Sequence, residues 1–188
     1  MDAKQLVTVE EAANVLAFWF DELDSTQWFK QDHGLDTLIR SRFGQVHSAA
    51  ANGELWPWRA TAQGRLAEII VLDQFSRNIY RDTPQAFACD TMALVLAQEA
   101  ISVQADFMLG IEQKSFLYMP FMHSESLNVH DVAMELFNTE GLENTLDFEV
   151  KHRNIIVRFG RYPHRNKVLG RSNTPEEARF LAQPGSSF

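Results

Sequence analysis

The sequence predicts an all-α protein. Three observations carry that expectation. Apolar residues recur at helical spacing through most of the chain. No run shows sustained two-residue alternation with β-branched enrichment. Gly and Pro, 9 and 6 of 188 residues, are scattered rather than gathered into a linker. At this length a single domain over residues 1–188 is expected, with its core at about 8–181 and a frayed tail over 182–188, burying roughly 70% of the unfolded surface.

Each element has a local reason. Thr8 with Glu11 three residues on forms a capping box, and Val9, Ala12, Ala13, Leu16 and Phe20 follow at helical spacing. Asp21 to Gly34 reads as a connector. Leu35, Leu38, Ile39, Phe43 and Val46 make a second amphipathic helix that fades at Asn52-Gly53, and Trp56-Pro57-Trp58 breaks the chain. Leu66 to Leu72 continues a third helix, apolar enough to be central, with a loop at Phe75 to Asn78. Pro84 opens a fourth helix through about Val103. Glu112 to Met122 is a fifth, with Pro120 late in it, and Ser126 to Phe137 a sixth. Leu142 to Phe159 is a seventh, closed by Gly160 at C′. Thr174-Pro175-Glu176-Glu177 combines an N-cap, Pro at the first helical position and a capping box, starting a short last helix through Leu181.

Composition narrows the class. The chain is 45% hydrophobic and 22% charged, with a net charge of −8. That is the composition of a folded globular protein, and its acidity argues against a general nucleic-acid coat. Cys89 is the only cysteine. It can form no intrachain disulfide, and a reducing cytoplasm is the simplest compartment. No secretory signal is expected, and the apolar run Val15 to Phe20 is far too short to span a bilayer.

Against that acidity, Lys151 to Arg171 holds seven of the chain's 17 Lys and Arg residues, and no Asp or Glu lies between Glu149 and Glu176. Part of this has local explanations. Arg153 lies four residues after Glu149 and Lys151 four after Asp147, both in the favourable helical orientation, and Arg158 suits a helix C-terminus. His152 shares a helix face with Phe148, Ile155 and Phe159 and reads as a core histidine. Arg161, His164, Arg165, Lys167 and Arg171 have no such partner nearby. A semi-rigid loop around Pro163 carrying these groups either clamps a phosphate or carboxylate or ties helices together.

Two further polar clusters interrupt apolar surroundings. Asp73-Gln74-Phe75-Ser76-Arg77-Asn78 ends the third helix, and Asp73 is a natural partner for the distant arginines as well as for Arg77. His123-Ser124-Glu125-Ser126 precedes the sixth helix, where Ser124 or Ser126 suits the N-cap. His130 falls on the apolar face of that helix with Leu127, Met134 and Phe137, and reads as core. Ser124 lacks a nucleophile elbow. No metal-ligand spacing, Walker loop or dinucleotide fingerprint occurs, so no metal ligands are assigned, nucleotide binding by those motifs is not expected, and the cofactor stays unknown.

Four stretches together carry a resemblance. They are Leu72 to Asn78 (LDQFSRN), Met119 to Glu125 (MPFMHSE), His152-Arg153 running on to Phe159 to Asn166 (FGRYPHRN) with Leu169-Gly170-Arg171, and Thr174 to Glu177 (TPEE). In that order and wording the chain resembles a bacterial family known as domain of unknown function 924, over roughly Ala13 to Leu181. The resemblance implies a tetratricopeptide-like right-handed stack of about seven to eight helices packed as antiparallel pairs. A search of the chain for 34-residue repeats does not itself show that stack. Family members usually carry Pro at the position of Ser76 and often Phe at that of Tyr162. The resemblance brings a fold and no reaction.

Asp73, Arg77, His123, Glu125, Arg161, His164 and Arg165 are therefore expected to converge on one pocket. Arg77, Arg161 and Arg165 would hold a small phosphate- or carboxylate-bearing ligand. His123 or His164 would act as acid or base, oriented by Glu125 or Asp73. Whether catalysis follows stays open. The alternative is a tetratricopeptide-like protein-interaction module whose Arg–carboxylate network is structural. A local RNA contact ranks last, because aromatic residues are not interleaved with the basic ones beyond Tyr162.

Overall fold

The computed structural model describes residues 9–186, and these form α-helices joined by 3-10 and π turns, with no strand among the described residues. The expected Thr8 cap lies outside them. Helix α1 (Val9–Ala17) runs into a π turn, Phe18–Glu22, that buries Phe18 and Trp19. The connector that follows is pinned by Trp28, whose indole N–H donates to the Trp19 carbonyl at 2.8 Å. Helix α2 (His33–Ala51) begins two residues before the expected Leu35. The Asp32 carboxylate caps it, accepting from the Gly34 and Leu35 amides at 2.8 and 3.0 Å.

Helix α3 (Ala62–Ile70) is capped by Thr61 and carries one close approach. A Cβ on Gly64 would lie 1.9 Å from the Trp58 carbonyl oxygen. Gly64→Ala is expected to destabilise the protein by about 1–3 kcal/mol through overpacking. Urea unfolding measures it, and a wild-type midpoint would refute the clash.

The loop expected at Phe75 to Asn78 does not exist. Helix α3 continues through a π turn, Val71–Phe75, directly into α4 (Ser76–Ile79). The reason is burial: every residue from Leu66 to Ser76 is buried. A loop crossing the core there would leave backbone polar groups without water, and a helix satisfies them. The wide turn is closed by side chains, with the Ser76 hydroxyl donating to the Leu72 carbonyl and the Arg77 guanidinium to that of Asp73, both at 2.6 Å. Ser76, where family members usually carry Pro, therefore helps to close the helix.

The fourth predicted helix also differs. Pro84–Phe87 is a 3-10 turn, and helix α5 (Asp90–Ser102) starts only at Asp90. Helix α6 (Ile111–Met122) accommodates Pro120, and α7 (Leu127–Phe137) and α8 (Glu143–Phe159) follow. Gly160 ends α8 in the left-handed region at φ 68°, where a Cβ would be strained. A 3-10 turn, Pro163–Arg165, leads towards α9 (Pro175–Leu181), whose predicted capping box is formed. Helices α5 to α8 each pack on the next, α3 packs on α1, α5 and α6, and α2 packs on Val71–Ile79.

The main core holds Trp19, Trp58, Phe18, Phe75 and Phe137, all fully buried. A smaller cluster joins Ile155, Ile156 and Tyr162 to Phe159 and Phe180. Between them lie ionisable groups. His130 and Glu149 are wholly buried, and His130 Nδ1 is 2.6 Å from Glu149 Oε1. The expected Glu149–Arg153 pair is therefore not made, because Glu149 faces the interior while Arg153 donates to Asp131 at 2.7 Å. His152 is buried as expected, with its Nδ1 2.8 Å from the Phe148 carbonyl. Among the described residues, no helix is long and apolar enough to cross a membrane.

Candidate functional site

The π turn aims Asp73 across the core at the C-terminal end of α6. Its carboxylate, 1% exposed, lies 2.7 Å from His123 Nδ1 and accepts from the Gln74 amide at 2.5 Å. The Arg77 guanidinium, one helical turn on, is 3.2 Å away. Burial alone would raise the Asp73 carboxyl. The Arg77 charge, His123 and these hydrogen bonds outweigh it and hold the group well below the usual carboxylate range. Asp73 is thus ionised and accepts only, so Nδ1 of His123 carries the proton. Burial and the Arg77 charge lower the imidazole pKa against the pull of Asp73. At neutral pH His123 is uncharged, with its lone pair on Nε2.

His123 lines a cleft of about 280 Å³, together with Pro84, Phe87, Asp90, Glu125 and Arg165. That volume lies at the small end of ligand pockets. Asp90, in the first turn of α5, accepts from Arg77 at 3.0 and 3.2 Å and from Arg165 at 3.2 Å. No side chain caps α5, because Cys89 occupies its N-cap position without a hydrogen bond to it. The first amides of a helix therefore stand beside the cleft.

The basic loop reaches the site through its 3-10 turn. Arg165 is only 7% exposed, and its guanidinium lies 4.6 Å from the ring centres of both Phe87 and Tyr162. Its one hydrogen bond is the long one to Asp90, and its buried Nε has no partner. Burial and the neighbouring Arg77 charge both lower its pKa. Glu125 is fully engaged, accepting from Arg171 at 2.6 and 2.8 Å and from the Tyr162 amide at 2.7 Å. Burial raises its pKa, but these hydrogen bonds and the Arg171 charge win and lower it. Tyr162 in turn donates its hydroxyl to the Met122 carbonyl at 2.5 Å.

Five of the seven expected residues come together: Asp73, Arg77, His123, Glu125 and Arg165. Arg161 does not join them. Its guanidinium is bonded to Glu177 at 2.6 and 2.9 Å and to the Ser172 carbonyl, fastening the loop to the α9 cap. His164 does not line the cleft. Its ring packs tilted at 38° against that of Tyr162, and burial followed by the Arg165 charge pushes it down to about 4. Glu125 does not orient His123; Asp73 does. Sequence reasoning overlooked Asp90, Phe87 and the role of Arg171. The signal for Asp90 was an acidic residue in a first helical turn, hidden by starting that helix at Pro84.

The family described as bacterial protein of unknown function (DUF924) matches residues 15–185. The chain belongs to that family. This DUF924 protein is also similar to a solved structure of a protein of unknown function from Agrobacterium tumefaciens. The two are 37% identical and superpose with a TM-score of 0.89, covering 94% of this chain and 99% of the other. No curated protein matches this DUF924 chain. Among its described residues, no group of three or more His, Cys, Asp or Glu is placed to hold a metal ion.

Proposed function

We propose that the cleft binds a small anionic ligand, phosphate- or carboxylate-bearing, in a helical protein of the cytoplasm. The observation that carries this is Arg165. A guanidinium buried in a cleft wall normally has its donors filled. This one has a single long bond and an unpartnered Nε, next to a helix start that no side chain caps. An anion in the cleft would meet the remaining terminal donors of that guanidinium and the first amides of the helix. The Asp73–His123 pair supports acid–base chemistry on that ligand, with Nε2 as the base and Asp73 as its positioning residue. Hydrolysis or group transfer is the corresponding reaction class.

One observation favours the rival reading, a tetratricopeptide-like interaction module. Arg77 and Arg171 are matched to carboxylates, as a structural network requires. Phe107 and Met108, both 73% exposed, would suit a protein partner.

Thermal shift separates the two readings. Millimolar phosphate and small carboxylates are expected to raise the melting temperature by a few degrees. Arg165→Met, which keeps the stem between Phe87 and Tyr162, should abolish the shift. Arg161→Ala, off the cleft, should keep it. No response of the wild type to any anion would leave the interaction module.

A further inference from the structure

We infer that the group the cleft selects is a phosphate carrying one proton, in preference to sulfate or a carboxylate. This rests on the reading above, and it follows from what else lines the same cleft. Beside the donors of Arg165 and the α5 amides stand acceptors. His123 presents Nε2, because Nδ1 is committed to Asp73 at 2.7 Å. The Asp90 carboxylate lines the cleft and accepts three hydrogen bonds of 3.0 to 3.2 Å, one on Oδ1 and two on Oδ2, leaving one lone-pair site on Oδ1 unfilled.

The charges near the cleft also balance. Arg77, Arg165 and Arg171 face Asp73, Asp90 and Glu125, so no surplus of positive charge draws in any anion whatever. An acceptor-only ion meets Arg165 well but sets its oxygens against the Asp90 carboxylate and the Nε2 lone pair. Sulfate and carboxylate at neutral pH are such ions. A phosphate group has its second ionisation near neutrality. It can therefore offer oxygens to Arg165 and the α5 amides while donating a P–OH to Asp90 or His123. Sites built to accept from a ligand hydroxyl reject analogues that lack one, because the acceptor is left unpaired. Sulfate matches phosphate in size and shape, so the proton is what distinguishes them.

Inorganic phosphate could supply this group, or a phosphomonoester could. Isothermal titration at low ionic strength and pH 6.5, with potassium phosphate, methyl phosphate and sodium sulfate as separate probes, tests the inference. Phosphate or methyl phosphate is expected to bind at least about tenfold more tightly than sulfate. Tighter binding of methyl phosphate identifies an ester as the source, and tighter binding of inorganic phosphate identifies the free ion. In Asp90→Asn the carboxylate becomes an amide that can donate, and the preference over sulfate should shrink severalfold. If that variant does not fold, the wild-type ratio decides alone. Equal affinity for sulfate and phosphate overturns the inference and leaves the anion site standing. Binding of none of the probes overturns the anion site itself.

Discussion

Glu149→Ala is expected to lower the melting temperature by roughly 10 °C. Glu149 and His130 are both 0% exposed, and the pair joins α8 to α7. His130 Nε2 is 2.9 Å from the Ser124 carbonyl, which can only accept, so Nε2 carries a proton. Burial raises the Glu149 pKa, against the pull of His130. The 2.6 Å contact at Nδ1 then holds one shared proton between the two groups. Truncating Glu149 leaves a buried ring nitrogen without a partner and a void beside it. Breaking a buried pair of this kind costs about 3–5 kcal/mol. A protein of this size loses about 2–4 °C per kcal/mol. Glu149→Gln can still donate to Nδ1 and should stay within about 1 kcal/mol of wild type. A melting temperature within 2 °C of wild type for the alanine variant would remove the pair from any structural role. The same histidine holds the Ser124 carbonyl and lies 3.1 Å from the Tyr162 hydroxyl. The loss should therefore reach the cleft wall as well.

The second large effect is acid sensitivity that starts near neutrality. Burial pushes His152 down to about 3 from the ordinary 6.5, and burial with the Arg165 charge pushes His164 to about 4. The unfolded chain binds protons at both positions below about pH 6.5, while the folded chain does not until it nears those lower values. Stability is therefore fully present above the unfolded pKa and falls as pH drops from about 6.5, down to about 4 for His164 and about 3 for His152. Each group contributes up to about 1.4 kcal/mol per pH unit. His47, also lowered by burial, acts in the same direction. The depressed carboxylates Asp73 and Glu125 add their loss further down, below the unfolded carboxylate range. Urea unfolding at pH 7, 6 and 5 measures the slope, and His152→Gln should flatten it. A midpoint unchanged between pH 7 and pH 5 would contradict the buried neutral state of these rings.

Much of the fold was legible because its causes are local. The Thr174 capping box, the Gly160 helix end and the buried His152 each follow from residues within one or two turns, whereas Phe148 and Leu127, expected on the core faces of α8 and α7, are 50% and 38% exposed. The errors share one origin. Phe75 to Asn78 carries polar residues that would read as a loop in water, yet it crosses the core, where backbone satisfaction demands a helix. Glu149 was matched to its helical neighbour Arg153, but the burial of α8 against α7 turned it towards His130 instead.

The candidate site divides in the same way. By itself the sequence determined the class of the fold and the stretches that carry unusual polar residues, because periodicity, caps and composition are properties of short segments. Only the tertiary structure decided which arginine meets which carboxylate. Arg161, Arg165 and Arg171 lie within one loop and look alike in sequence, yet they bond Glu177, Asp90 and Glu125, the last two 75 and 46 residues away. Long guanidinium side chains can reach many partners, and a charge carries no periodicity to announce its choice. Burial makes that choice: Arg165 and Arg171 each keep a buried Nε without a partner, and of the three arginines only Arg165 lines the cleft.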